Sequence, residues 1–166
     1  MAPLIYGSLE SMREWTDTRK VNVNWHTMKE FLEVMAKRRW GVNFGTLVGH
    51  TTIRQALIGE STRSLSRNEL AVLNSVLEKS LKEGAFGVST GLDYIYNRET
   101  SYSEIKSAAE IAARNKKIYA TRLRDNKGGL VESINEKINA AKDTGVKLLI
   151  NHFRPLIGYG KDFEEA

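Results

Sequence analysis

Apolar positions along this chain recur with two periods, one helical and one strand-like, and the two take turns. Met28, Phe31, Leu32 and Met35 stand at i, i+3, i+4 and i+7, which predicts a helix over about 27–39. The run Val42-Asn-Phe-Gly-Thr-Leu-Val48 then reads as a strand. Ser66 followed by Glu69 is the sequence of a capping box, Leu70, Leu73, Leu77 and Leu81 form the apolar stripe behind it, and Gly84 supplies a stop. Phe86-Gly-Val-Ser-Thr90 follows as a short strand ending at Gly91. The unit comes twice more. Ser101 and Glu104 make a second capping box ahead of Ile105, Ala108, Ala109 and Ala112, with Asn115 as terminator and Ile118–Leu123 as strand. Leu130, Ile134, Ile138 and Ala141 then predict the inward face of a helix over 129–144, closed by Gly145 and followed by a strand at Val146–Asn151.

Four strands joined by helical crossovers predict a parallel α/β sheet, since parallel neighbours need a long connection between them. A parallel strand covered on both faces reads as a nearly continuous apolar run. Leu148-Leu149-Ile150 meets that description, whereas Ile118–Leu123 is only half apolar. Two architectures satisfy the pattern: an open doubly wound sheet, or part of a (β/α)8 barrel. Neither GxGxxG nor GxxxxGK[ST] occurs, and Gly84, Gly87 and Gly91 have the wrong spacing for a phosphate-binding loop.

Composition narrows the function classes. With 166 residues, 41% of them hydrophobic, the chain holds one domain or a large piece of one. It has no cysteine, which removes disulfides, thiolate zinc sites and cysteine nucleophiles. No apolar run reaches the length of a membrane span, and Met1–Tyr6 lacks the basic and apolar regions of a secretory signal, so a cytoplasmic protein without a membrane partner is expected. The formal charge of +5 invites a nucleic-acid reading. Its distribution opposes that: Arg19-Lys20, Lys37-Arg38-Arg39 and Lys116-Lys117 are scattered among acids, without the interleaved aromatics of a base-stacking surface.

Chemistry in parallel α/β folds collects at the carboxyl ends of the strands. Four clusters lie there: Gly49-His-Thr-Thr-Ile-Arg54, Ser89-Thr-Gly-Leu-Asp-Tyr94, Tyr119-Ala-Thr-Arg-Leu-Arg124 and Asn151-His-Phe-Arg154. Ser89 is not read as a nucleophile, for no His–Asp relay is recognisable beside it. Arg124 and Asp125 are expected to form a local ion pair.

Taken in order, these clusters resemble the middle of the N-acyl-D-amino-acid deacylases, a branch of the amidohydrolase superfamily, over about residues 25–160. The resemblance implies that residues 1–166 form a single partial domain, about half of an amidohydrolase-type (β/α)8 barrel with four strands and three crossover helices. It also implies zinc as cofactor and hydrolysis of N-acyl-D-amino acids as the ancestral reaction. Residue by residue, His152 matches a family metal ligand, while Arg122 stands where a second ligand histidine is expected. Arginine keeps its proton and offers no lone pair to a metal. The same resemblance gives Tyr94 and Arg154 as candidates for holding the substrate carboxylate, and His50 and Arg54 as residues supporting the site from behind. No His-x-His occurs in the chain, so a fragment or inactive homologue with doubtful zinc occupancy is expected. The alternative is a non-catalytic half-barrel scaffold. Its open edges and apolar inner sheet face predict a homo-oligomer, or completion by a partner.

Overall fold

The structure, a computed structural model, describes residues 25–154 and 156–166. Helix α1, Met28–Ala36, starts at a Thr27 capping box closed by Glu30. Strand β1, Leu47–Gly49, runs directly into α2, His50–Ile58. Helix α3, Arg67–Lys82, follows on the Ser66 capping box and leads to β2, Gly87–Gly91. A 3-10 turn at Ile95–Asn97 precedes α4, Tyr102–Arg114, and β3, Ile118–Arg122. Helix α5, Leu130–Thr144, β4, Lys147–Ile150, and α6, Gly160–Glu165, complete the described chain.

All strand pairings are parallel and the spatial order is β1-β2-β3-β4. The order never reverses. Since such crossovers share one hand, α3, α4 and α5 stack on the same face of the sheet rather than dividing between two faces. A doubly wound sheet requires a reversal, so the half-barrel reading stands and the other falls. Val48, Val88 and Tyr119, paired in one row across the sheet, pack against Leu73, Leu77 and Leu81 of α3, Ile105, Ala108 and Ala112 of α4, and Ala140 of α5. A second small core joins Leu123, Leu130 and Ile134 to Ile150 and Phe163.

Several expectations change. The strand expected from Val42 shrinks to three residues, and Val42 and Phe44 are exposed. Helix α2 was not anticipated, because its buried positions His50, Ile53 and Arg54 have helical spacing but only one is apolar. On α5 the inward line runs through Lys137 and Ala140, leaving Ile138 exposed, because a 3.6-residue period carries the buried stripe past it. The apolar-run argument is inverted too. Half-apolar β3 has a buried centre, while burial on β4 alternates: Leu148 packs against the helix-covered core and Leu149, on the opposite face, is exposed. Among the described residues, no helix is long and apolar enough to cross a membrane.

Candidate functional site

His50 is the first residue of α2, so β1 delivers it straight into a helix whose next turn carries Arg54. Both side chains turn towards α4 and are buried. There His50 Nε2 donates to Glu104 Oε1 at 2.8 Å, and an Arg54 guanidinium nitrogen lies 2.9 Å from each Glu104 oxygen. Burial alone would raise the Glu104 carboxyl, but the hydrogen bonds and charges of His50 and Arg54 outweigh it and hold the group below its ordinary value. Arg54 also donates to the carbonyl of Arg63. The Ser101 capping box is therefore only half made: Ser101 Oγ accepts from the Glu104 N–H, but the Glu104 side chain is turned inward to this cluster.

At the next strand end, Asn97 is buried and its amide donates to the Gly91 carbonyl at 2.8 Å and to Thr51 Oγ1 at 2.7 Å. This ties the loop after β2 to α2. Arg122, the last residue of β3, donates to Asp93 Oδ2 at 3.1 Å, and its guanidinium carbon sits 4.9 Å from the centre of the Tyr94 ring. The expected Arg124–Asp125 pair gives way to separate partnerships. Arg124 pairs with Glu136 at 2.8 Å, while Asp125 accepts from the backbone N–H groups of Lys127 and Gly129. Glu136 in turn accepts from Lys137 Nζ at 2.5 Å. Sequence reasoning gave Asp93 and Asn97 no role and read Glu104 only as part of a helix cap, because their partners lie on other elements.

Burial pushes the Lys137 ammonium down from 10.5 to about 8, only partly opposed by Glu136. Between those values the unfolded lysine holds a proton that the folded one has lost, so raising the pH stabilises the fold. We expect the stability of the protein relative to Lys137→Met to climb between pH 8 and pH 10.5, by about 3 kcal/mol at most. Urea unfolding of both proteins across that range checks it; a flat difference would refute the assignment.

The candidate ligand His152 and the supporting His50 do not converge. His50 faces α4 from the β1 edge of the sheet, and His152 follows β4 at the opposite edge, exposed and in the left-handed backbone region at φ 59°. Between them Arg122 fills the end of β3 with a fixed positive charge. Among the described residues no three His, Asp or Glu side chains gather where they could hold a metal ion. These residues do not fit a metal centre. Arg122 ends β3, and Tyr94 and Arg154 follow the strands on either side of it, both exposed. Such a rim offers a phenol and guanidinium donors, which suit a carboxylate.

No family model matches the chain. An N-acyl-D-aspartate deacylase from Alcaligenes xylosoxydans xylosoxydans is 31% identical over 129 residues, covering 77% of this chain and 26% of that protein. A solved D-aminoacylase described as defining a novel subset of amidohydrolases superposes with a TM-score of 0.71 at 26% identity, over 75% of this chain and 26% of its own. Another D-aminoacylase structure, concerned with the functional role of its binuclear metal centre, gives a TM-score of 0.70 at 26% identity with the same coverage. The chain thus spans about a quarter of the length of the relatives it matches.

Proposed function

Because this chain is, over about three quarters of its length, a segment of the N-acyl-D-amino-acid deacylase family, we propose that it supplies four β/α units of a deacylase barrel and a rim that holds a substrate carboxylate. The observation that carries the reading is the unreversed sheet with Tyr94, Arg122 and Arg154 at or just after the ends of three adjacent strands. In this reading the Arg154 guanidinium and the Tyr94 hydroxyl donate to the carboxylate of an N-acyl-D-amino acid, while His50, Arg54 and Glu104 brace the rim from the helix side. In the metal-dependent relatives the metal supplies the electrophile and activated water. The described residues of this chain offer binding and positioning instead.

The test is a titration with N-acetyl-D-aspartate, with and without added zinc, followed by NMR and by product analysis. We expect shifts of the Tyr94 and Arg154 side-chain signals and no product above a protein-free blank. Unmoved signals would remove the carboxylate site; turnover with zinc would remove the non-catalytic reading.

A second reading, self-association of the half barrel, is favoured by β1 and β4, each hydrogen-bonded to a neighbouring strand on one side only among the described residues, and by exposed Leu149 on β4. Sedimentation of the same sample separates the two. A homodimer supports a self-completing scaffold, and a single monomeric species removes it.

A further inference from the structure

The end of β3 is more than a position where metal ligation fails. Arg122 reaches sideways to the end of β2, where Asp93 accepts its hydrogen bond and the Tyr94 ring lies against its guanidinium. Both partners belong to the loop that Asn97 pins to α2 and to the Gly91 carbonyl. Gly91 permits the arrangement: a Cβ there would come within 2.5 Å of the Tyr94 ring, so only a bare backbone lets the ring close over this strand end. Charge, plane and loop are therefore positioned together. A guanidinium is suited to the task, because it is permanently charged, offers a fork to a carboxylate and stacks on an aromatic face.

We propose that the Arg122–Asp93–Tyr94 clasp takes the place of a bound metal at this end of the sheet. Where a cation shared by ligands from several strands would cross-link the barrel mouth, here the cation is a side chain, and it joins the ends of β2 and β3 directly. The clasp makes this strand end independent of metal supply. Because Asp93 balances the guanidinium, the clasp is an ion pair and brings its own counter-charge to the mouth. The inference rests on the reading of the chain as a deacylase segment for the meaning of the position, but its geometry stands without it.

Four measurements on the whole chain test it. After dialysis against zinc, the wild-type protein should retain no stoichiometric metal, and neither zinc nor a chelator should move its thermal midpoint. The Arg122 side-chain NMR signals should be displaced by the Tyr94 ring current and should return towards random-coil positions in Tyr94→Leu. In a cycle of Arg122→Met, Asp93→Asn and the double variant, the double variant should melt no lower than the worse single one. Retained stoichiometric zinc, a midpoint raised by zinc, an unshifted Arg122 or fully additive losses would each overturn the clasp. All four are distinct from the ligand titration that decides the carboxylate site, so either can fail alone. The zinc and ring-current measurements on wild-type protein need no variant to fold.

Discussion

Replacing Glu104 with glutamine is expected to cost about 3–5 kcal/mol of stability, the penalty of leaving buried charge without its counter-ion. Among the described residues Glu104 is the one carboxylate facing His50 and Arg54, and all three side chains are withdrawn from solvent. Glutamine keeps the shape but turns one acceptor into a donor. Whichever way the amide is turned, that donor faces an Arg54 N–H, so at least one contact becomes repulsive and Arg54 stays charged in a dry setting. Urea unfolding at neutral pH measures the loss. A cost below about 1 kcal/mol would show that solvent already reaches the cluster. The pH dependence has a definite sign. Since the carboxyl is held below its ordinary value in the folded protein, its contribution is complete above the unfolded value near 4.5 and disappears as the pH falls through the lower folded one. Glu104→Gln should therefore lose part of the acid sensitivity of the wild type along with its stability.

The second large effect is expected from the smallest change. Gly87→Ala adds one methyl group, and its Cβ would stand 2.4 Å from the Ile118 carbonyl oxygen, 2.6 Å from Ile118 Cγ1 and 3.0 Å from Leu47 Cδ2. Leu47 and Ile118 are its register partners on the two flanking strands, so the methyl meets the sheet on both sides. Ile118 O is backbone and cannot rotate away; β2 and β3 must move apart. Overpacking of this kind costs about 1–3 kcal/mol, and a backbone clash within a ladder belongs at or above the upper end. The usual gain of up to about 1 kcal/mol from stiffening the unfolded chain does not offset it. A lowered midpoint in thermal unfolding, with faster amide exchange along β2 and β3, is the expected result. An unchanged midpoint would mean that the strands are not in this register.

How far the sequence foretold this structure depended on where each residue's partner lies. Ser66 with Glu69, and the leucines of α3, declared their helix because cap and stripe are local. That the strands are parallel was legible too, since a helix separates each from the next, but their order was not. A doubly wound sheet shows the same alternation, and only the resemblance favoured the barrel. Helix α2 was hidden for the opposite reason. Its inward face is built from His50 and Arg54, and two charged or polar residues on a buried face erase the apolar period. Glu104 reads as the second half of a cap until α2 is seen to lie within reach, and Asp93 has no sequence signal until Arg122 is placed beside it. At the site, the resemblance pointed to the strand ends and to Arg122 as the departure. What Arg122 does there instead depends on a loop from another strand, and that requires coordinates.

The unreversed strand order has a further consequence, for the way the chain folds. Every strand finds its sheet neighbour only one crossover away, so each closure costs a modest loop entropy and none waits on a distant part of the chain. A chain emerging from its amino end can therefore lay down β1, then β2, then β3, adding one hydrogen-bonded ladder at a time. Assembly of this kind is vectorial, and each ladder added leaves the ones before it intact.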